Sequence, residues 1–328
     1  MQNIIYSKLY NDERETMTTL KNQLMSKNGW NTVQLAREML THFEGDRIET
    51  VGWYAEKLGT GRGTVQAALK FLQTAGAIRL ESRGHLGTTI QSLNYKQLWE
   101  IADLGAVTAV MPLPYSKRYE GLATGLYKAF ETADIPFSLA FMRGANKRME
   151  AVRLGRYHFT VISKLAAEAE ANSASGFRII HQFSAGSYVG NHVVIFRDGH
   201  DAAIRDGMRV ALDSSSLDQY LLTRSECAGK EVTYVETSYA QILSKLKNNE
   251  IDAAIWNEDE IREKNLDFKV APLQNATALG IRSDDTTAVI VVSEENSKFE
   301  AILKRFVDFQ ATEAIQKKVI RGELTPVY

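Results

Sequence analysis

The sequence predicts an α/β two-lobed domain preceded by a smaller α+β domain, and three observations lead to this prediction. The chain has 328 residues, more than one small hydrophobic core usually organises. The apolar periodicity changes near Gly105, from three helices and a hairpin to a repeated alternation of strands and helices. A helix-turn-strand pattern also occurs twice, ending once at Ser163 and once at Asn257, which indicates two lobes of the same design.

The composition, with 44% hydrophobic and 24% charged residues, is that of an ordinary globular protein. The net charge of −1 provides no overall attraction for polyanions, so any such attraction must be local. The N-terminus lacks the pattern of a signal peptide, and no run reaches the roughly 18 apolar residues of a membrane helix. Cys227 is the only cysteine and has no partner for an internal disulfide. We therefore expect a cytoplasmic protein with no membrane contact.

The N-terminal part is predicted to contain an arm followed by three helices. Residues 1–30 are polar and irregular, and we expect them to form the arm. Helix-like spacing then runs from Val33 to Leu40, and again from Ile48 to Leu58. The third helix carries an apolar stripe that faces a core and consists of Val65, Ala68, Leu69, Leu72 and Ala75. Gly76 suits the left-handed conformation that ends a helix.

After Gly76 the apolar period changes to two, and the segments around Ile78 and Ile90 alternate like the strands of a hairpin. The loop between them contains two glycines. Three helices and a hairpin in so short a span predict a winged helix-turn-helix domain over residues 31–92. Asn94 has the position of an N-cap, so residues 93–104 are expected to form a linker helix.

Basic residues are concentrated in this small domain. Residues 57–90 contain five basic residues and one acidic residue, a net charge of +4. A solvated basic face is the simplest explanation, but the helix-turn-helix pattern favours duplex DNA as the partner. The start of the third helix meets base edges in such domains, and the hairpin loop reaches the adjacent groove. The predicted DNA-binding residues are Arg62, Thr64, Gln66, Lys70, Arg83, Gly84 and His85.

The segment "GDRIETVGWYAEKLGTGRGTVQAALKFLQTAGAIRLESRGHLGTTI" resembles the DNA-binding domain of GntR-type regulators. The resemblance implies that Arg62, Thr64 and His85 contact DNA. Three positions differ from the family pattern: Gly52 replaces an arginine, Gly61 replaces a serine, and Gln66 replaces a second arginine of the recognition helix. These departures imply weaker phosphate contacts and a different operator.

From residue 105 to 328, apolar strands alternate with helices, which predicts a parallel sheet covered on both faces. Ligands of two-lobed α/β proteins bind at the carboxyl ends of the strands, between the lobes. A serine run at a helix start and positive charge on the opposite lobe predict a small carboxylate or phosphate ligand. The predicted ligand-binding residues are Pro114, Tyr115, Arg143, Gly144, Ser163, Lys164, Ser214, Ser215, Trp256 and Asn257.

Each of these residues also has a structural interpretation. The serine run is most often an N-cap, Arg143 can pair with Glu150 on the surface, and Trp256 can belong to the core. Gly121-x-x-x-Gly125 indicates close helix packing. The histidines have no metal-ligand spacing, and the nucleotide-binding and hydrolase motifs are missing, so we expect no cofactor, no metal and no enzyme.

The strings "MPLPYSKRYEGLATGL", "MRGANKRME", "YVGNH", "DAAIWN" and "RGELTPVY" resemble YhfZ-type transcriptional regulators, whose larger domain has the type 2 periplasmic-binding-protein fold. The resemblance implies a transcriptional regulator. Because one winged helix-turn-helix domain reads only a half-site, we expect a homodimer that binds a double-stranded DNA operator, together with a small-molecule effector. His158 departs from the aspartate that many members of this fold place before the third strand. The alternatives are an enzyme that uses Asp213, Asp252 and His192, or a plain solute-binding protein.

Overall fold

The computed structural model describes residues 24–84, 87–173, 176–275 and 283–328. The chain forms two compact units. The first contains residues 1–107 and 131–136, and the second contains residues 108–130 and 137–328. None of the described helices is long and apolar enough to cross a membrane.

The first unit contains three helices and a three-stranded antiparallel sheet in the order β1-β3-β2. The helices are α1 Lys27–Met39, α2 Val51–Lys57 and α3 Arg62–Thr74. The strands are β1 Arg47–Ile48, β2 Ile78–Ser82 and β3 Thr88–Leu93. This arrangement confirms the predicted winged helix-turn-helix fold. The apolar stripe of α3 faces the core, and Val65, Ala68, Leu69 and Leu72 are buried.

The first helix begins earlier than the sequence pattern predicts. It begins at Lys27, not near Val33, because Ser26 acts as its N-cap and accepts a hydrogen bond from the Gly29 N–H at 3.1 Å. The side chains of Asn31 and Thr32 donate to backbone carbonyls one turn earlier, so the polar first turns are still helical. The predicted arm therefore overlaps this helix, and residues 1–23 lie outside the described part.

The second helix is shorter than predicted, because Ile48 belongs to a strand. Ile48 pairs with Thr88 in the sheet, and its side chain is buried. Thr50 then caps α2 by accepting a hydrogen bond from the Trp53 N–H at 3.2 Å. An apolar residue three positions before Val51 fits both a helix and a short strand, so periodicity alone could not separate them.

The predicted linker helix is α4, Tyr95–Ile101. Asn94 caps it by accepting a hydrogen bond from the Gln97 N–H at 3.1 Å. The helix packs into the first unit, since the Arg37 side chain donates to the Ala102 carbonyl at 2.9 Å. The Trp99 indole donates to the Gly105 carbonyl at 2.7 Å.

The second unit is built on two five-stranded sheets. Its strands are β4 Val107–Met111, β5 Phe137–Phe141, β6 Phe159–Ser163, β7 Phe177–Gln182, β8 His192–Phe196, β9 Arg209–Leu212, β10 Thr233–Glu236, β11 Ala253–Asn257, β12 Lys269–Pro272 and β13 Ala288–Ser293. Lobe one contains the sheet β5-β4-β6-β13-β7, and lobe two contains the sheet β10-β9-β11-β8-β12. The two orders correspond strand for strand.

Helices cover these sheets. They are α5 Lys117–Thr132, α6 Ala145–Arg153, α7 Lys164–Ser173, α8 Leu217–Glu226, α9 Tyr239–Lys247, α10 Glu258–Glu263, α11 Ser297–Phe306 and α12 Phe309–Ile320. Gly121 and Gly125 lie where α5 contacts α12, and a Cβ at Gly121 would approach the Gln316 Cα to 2.9 Å. This confirms that the two glycines serve close helix packing.

The sheets are mixed, so the prediction of a purely parallel sheet was wrong. In lobe one, β13 runs antiparallel to β6 and β7. In lobe two, β8 runs antiparallel to β11 and β12. Both β8 and β13 follow a segment that crosses from the other lobe, and they therefore enter the sheet in the opposite direction. The sequence analysis predicted none of the four strands β7, β8, β12 and β13.

The repeated unit predicted from the sequence is present in both lobes. Gly155 and Asn249, 94 positions apart, follow α6 and α9 with φ of 65° and 59°. In lobe two, the Asp252 carboxylate accepts a hydrogen bond from the Arg209 N–H at 2.9 Å. In lobe one, His158 Nδ1 accepts from the Thr108 N–H at the same distance. His158 thus accepts the backbone hydrogen bond that the expected aspartate would have accepted.

Candidate ligand-binding cleft and nucleic-acid interface

A cavity of about 110 Å³ lies between the two lobes, at the carboxyl ends of the strands. This volume has room for several water molecules or a small organic molecule. Five of the predicted ligand-binding residues line it: Tyr115, Arg143, Gly144, Ser215 and Asn257. The position of the cavity therefore agrees with the predicted position of the cleft.

The structure places the other five predicted residues away from the cavity lining: Pro114, Ser163, Lys164, Ser214 and Trp256. Ser163 is fully buried and donates to Asp218 Oδ1 at 2.5 Å. Lys164 pairs with Asp284 at 2.9 Å. Trp256 lies in the core of lobe two and stacks on Tyr239 with ring centroids 3.9 Å apart.

The serine run does not present its backbone donors to the cavity. The N–H and hydroxyl of Ser215 both donate to Asp213 Oδ1, at 3.0 and 2.6 Å. The N–H and hydroxyl of Ser214 both donate to Glu236 Oε1, at 3.2 and 2.6 Å. The carboxylates of the protein itself thus occupy the donors that were expected to bind an anion. Glu236 is distant in sequence from Ser214, so that contact depends on the tertiary fold, whereas Asp213 is a local partner of Ser215.

Lobe one supplies two arginines to the cavity. Arg148, on α6, is only 3% exposed. Its guanidinium donates to the Met142 carbonyl at 2.8 Å and to the Tyr188 hydroxyl at 3.2 Å, while its Nε–H has no hydrogen-bond partner among the described residues. No described carboxylate forms a salt bridge with it. A buried guanidinium without a counter-ion among the described residues is energetically costly.

Arg143 lies at the exposed edge of the same cavity and donates from Nε to the Tyr115 hydroxyl at 2.8 Å. The alternative pairing with Glu150 is not formed, because Glu150 binds Arg153 at 2.6 Å. Arg143 could be predicted from its position after a strand. Arg148 was not predicted, because it lies inside a helix next to another basic residue. A surface position is the ordinary expectation for such a residue.

Lobe two supplies a buried carboxyl group at Asp218, in the first turn of α8. Burial raises the pKa of Asp218 to about 6, although the hydrogen bond from Ser163 opposes the shift. His192 and Asp285 form a second buried pair with Nδ1 and Oδ2 2.8 Å apart. His192 lines the cavity, whereas Asp285 Oδ1 has no partner among the described residues. Neither Asp218 nor Arg148 follows a strand end, so the topological rule could not select them.

Tyrosine rings form much of the remaining wall. Tyr119 and Tyr188 meet edge to face with centroids 5.1 Å apart, and Tyr115 and Tyr239 lie 5.7 Å apart. The Tyr239 hydroxyl donates to Glu260 at 2.7 Å. Burial raises the pKa of Tyr188 to about 12 and that of Tyr119 well above the usual range, so both phenols stay neutral.

The two lobes touch each other around this cavity. Arg118 on α5 forms a salt bridge with Asp259 on α10 at 2.9 Å. Ser163 of lobe one reaches Asp218 of lobe two, as described above. Gly144 has a φ of 82°, and a Cβ at that position would lie 2.7 Å from the Ser215 carbonyl oxygen. The cavity is therefore enclosed by contacts from both sides.

The recognition helix of the first unit exposes a polar face. Arg62, Gln66 and Lys70 follow one another at intervals of four residues and are exposed, opposite the buried stripe of α3. Thr64 is half-buried. The Arg62 guanidinium lies beside Gly52, where an added Cβ would come within 3.4 Å of it. The glycine at that position therefore leaves the space that the arginine occupies.

The hairpin places further basic groups beside this helix. Arg83 forms a salt bridge with Glu81 at 3.0 Å, and Gly84 is exposed with a φ of 58°. His85 lies outside the described residues. The exposed Arg47, on β1, packs its guanidinium against Gly87 and lines the depression between α3 and the hairpin. Arg47 was not predicted as a DNA-binding residue, because the neighbouring Ile48 was assigned to a helix and not to strand β1.

Both parts of the chain are similar to known protein families. Residues 44–90 match a model described as a helix-turn-helix domain. Residues 94–328 match the model described as the YhfZ C-terminal domain. Over 312 aligned residues the chain is 34% identical to YhfZ of Escherichia coli (strain K12). The aligned region covers 94% of this chain and 100% of that protein.

Solved structures give a consistent result. The crystal structure of YhfZ from Shigella flexneri is similar with a TM-score of 0.58 and 34% identity, over 71% of this chain and 97% of that one. The alkanesulfonate-binding protein SsuA from Xanthomonas axonopodis pv. citri, bound to MOPS, has a TM-score of 0.51 at 13% identity, over 66% of this chain and 75% of that one. The second likeness concerns the fold alone. The family match and the relative at 34% identity show that the chain belongs to the YhfZ family.

Proposed function

We propose that this protein is a cytoplasmic transcriptional regulator whose first unit binds an operator and whose second unit senses a small molecule with an anionic group. One observation supports the proposal most strongly. A single chain carries a helix-turn-helix domain with an exposed polar and basic face and a domain of the binding-protein fold with a cleft.

The polar face of α3 supports DNA as the partner. Arginine pairs with guanine and glutamine with adenine through paired hydrogen bonds, and both residue types are exposed at the start of α3. Lys70 and Arg47 extend the positive charge along the depression beside the hairpin and suit phosphate contacts. Domains of this kind read half-sites, so we propose that two copies of the chain bind a two-fold symmetric operator.

The buried guanidinium of Arg148 supports an anionic ligand. It lines the cavity and has a donor without a partner in the described structure. A carboxylate or phosphate that accepts from Arg148 and Arg143 would compensate both charges on lobe one. Because the ligand would contact both lobes, its affinity would differ between open and closed forms, and this difference is what can alter the pairing of two DNA-binding domains.

We also propose that the protein is not an enzyme. Two of the three residues considered for acid–base chemistry have structural partners: Asp252 binds Arg209 at 2.9 Å, and Asp213 accepts hydrogen bonds from Ser215 and Tyr239. A nucleophile with a neighbouring base is the usual sign of group-transfer chemistry. Neither Asp252 nor Asp213 is placed for that role.

The test is a fluorescence titration of the full chain against a library of genomic fragments. We expect selection of a defined site, and we expect Arg62→Ala to weaken its binding by about 1–3 kcal/mol. Arg205→Ala is the matched control, because Arg205 is exposed on the second unit and forms a salt bridge with Asp201. Sedimentation equilibrium with and without the selected DNA should show a dimer. The proposal fails if the protein selects no fragment, both when it is tested alone and when cell extract is added.

A further inference from the structure

Opposite charges face each other across the cavity. The two arginines of its lining, Arg143 and Arg148, belong to lobe one. The three carboxylates of its lining, Asp213, Asp218 and Glu260, belong to lobe two. A purely anionic ligand would satisfy the first group and be repelled by the second.

Two of the three carboxylates are already satisfied by the protein. Asp213 accepts hydrogen bonds at both oxygens, from Ser215 and from the Tyr239 N–H. Glu260 accepts from the Tyr239 hydroxyl and pairs with Lys264 at 2.9 Å. Asp218 is different, because only its Oδ1 accepts a hydrogen bond from a described residue.

Among the described residues, no cation forms a salt bridge with Asp218. Ser163 is its hydrogen-bond donor. The charged groups that act on it are His192, Asp285 and Arg148. His192 is held by Asp285, and Arg148 forms no salt bridge with any described carboxylate. A buried carboxylate and a buried guanidinium thus line one cavity without binding each other, a costly arrangement unless a ligand lies between them.

The walls suit a positively charged group. Tyr119 and Tyr188 line the cavity beside Arg148 and act electrostatically on Asp218. Phenol rings attract an ammonium ion over their faces, and this attraction is stronger where water is excluded. The neutral state of these phenols, described above, preserves that property.

We infer that the cleft binds a zwitterion, with a protonated amine at Asp218 of lobe two and an anionic group at Arg148 and Arg143 of lobe one. The inference rests on the proposed function, since it specifies the class of effector that the same cleft takes. It also gives a reason for closure, because only a bipolar ligand compensates the charges of both lobes at once.

The direction of the pH dependence follows from the titration of Asp218. An ammonium group binds the ionised carboxylate, so the affinity for a zwitterion should rise as the pH increases through about 6. A purely anionic ligand prefers the protonated carboxyl, so its affinity should fall over the same range. The sign of the dependence therefore distinguishes the two ligand classes.

The experiment uses matched probes with the full chain. Isothermal titration calorimetry at pH 5.0 and 7.5 would compare glycine, β-alanine, 4-aminobutyrate and taurine with acetate, propionate, butyrate and ethanesulfonate. Methylamine, ethylamine and propylamine complete the set. We expect at least one zwitterion to bind tenfold or more tightly than its matched acid and amine. From the fraction of Asp218 that is ionised, its affinity should rise about tenfold between the two pH values.

Asp218→Asn is the matched variant, since it keeps the shape of the side chain and removes its charge. It should reduce the affinity for the zwitterion to that of the matched acid and abolish the pH dependence. Asp267→Asn, on an exposed position away from the cavity, should leave both unchanged. A melting curve of each variant shows that it is folded.

Two results would overturn the inference. One is equal or tighter binding of the matched acids with affinity that falls as the pH rises; the proposed sensor of anions would then still stand. The other is that none of the four zwitterions binds. If a zwitterion binds as expected but the protein selects no DNA, the inference holds and the proposed regulator fails.

Discussion

The two lobes of the second unit have the same strand order but opposite chemistry at the cleft. Their central strands β6 and β11 end at equivalent positions, Ser163 and Asn257. Lobe one nevertheless contributes the guanidinium groups, whereas lobe two contributes the carboxyl groups. A repeated architecture therefore fixes where a ligand site can lie, and residues outside the repeat determine what the site can bind.

The largest effect is expected from the uncompensated carboxyl group of lobe two. Burial raises the pKa of Asp218 to about 6, above its unfolded value of about 4, so its ionisation opposes folding. The penalty is absent below about pH 4 and complete above about pH 6. At pH 8, Asp218→Asn should therefore stabilise the free protein by about 2–3 kcal/mol, and at pH 4 by almost nothing. Urea denaturation at both pH values measures the difference; equal stabilisation at the two would contradict this explanation.

In lobe one, the buried guanidinium of Arg148 should contribute mainly to the affinity for a ligand. Arg148→Met removes the buried guanidinium and should weaken any ligand with an anionic group by about 1.5–3 kcal/mol. Arg143→Met should cost less, because its guanidinium is exposed and screened. Calorimetry with the ligand identified by a thermal-shift screen measures both, with Arg205→Met as the control. If Arg143 proves more important than Arg148, the exposed edge of the cavity is the true anion site.

The repeat itself can be tested at the position where His158 of lobe one corresponds to Asp252 of lobe two. Asp252→Ala leaves the Arg209 N–H without its acceptor and should destabilise lobe two by about 2 kcal/mol. His158→Ala removes the equivalent acceptor in lobe one, at a cost of about 1 kcal/mol, since a neutral acceptor is weaker. His158→Asp restores the carboxylate and should recover that loss. Failure of His158→Asp to do so would mean that the two turns are not equivalent.

Acid titration of stability should distinguish the turn at Asp252 from the turn at His158. The Arg209 guanidinium holds the pKa of Asp252 at about 2, below the unfolded value of about 4. The stability that Asp252 provides is therefore present above about pH 4 and is lost as the pH falls through 2. The difference in unfolding free energy between wild type and Asp252→Asn, measured from pH 5 to 2, should shrink in that range. A difference that stays constant would exclude this ionisation as the cause.

The smallest effects are expected at the two equivalent strand ends. Ser163→Ala removes the donor to Asp218 and should cost about 1 kcal/mol while raising the pKa of Asp218 further. Asn257→Ala removes the N-cap of α10 and should cost about 0.5–1 kcal/mol without altering the pH dependence of binding. Thermal unfolding and calorimetry at several pH values distinguish the two. A shifted pH dependence in Asn257→Ala would contradict the assignment of Asp218 as the titrating group.

The contrast between the lobes also explains which features the sequence could predict. Periodicity found the apolar stripe of α3, the strands that alternate with helices, and the repeat that ends at Ser163 and Asn257. These features depend on neighbours along the chain. The direction of the antiparallel strands β8 and β13 could not be predicted, because it depends on the crossing between lobes, which short-range patterns do not contain.

The same limit applies to the site. Tyr115, Arg143 and Asn257 were predicted from their positions at strand ends, and they line the cavity because strand ends meet at one edge of a sheet. Arg148 and Asp218 lie within helices, and only the packing of one lobe against the other makes them part of the cavity. The donors of Ser214 and Ser215 were expected to be available, but Glu236, distant in sequence, occupies those of Ser214, and the nearby Asp213 occupies those of Ser215.

Gly144 has a consequence for genetics. Because the Ser215 carbonyl lies directly opposite, even a methyl group on Gly144 would hold the lobes apart while leaving both sheets and the helix-turn-helix domain unchanged. If the proposed effector acts by closing the lobes, Gly144→Ala would be an allele that cannot respond to it. Transcript profiles of such a strain, compared with a deletion strain, would then identify genes that the unliganded form of the proposed regulator controls.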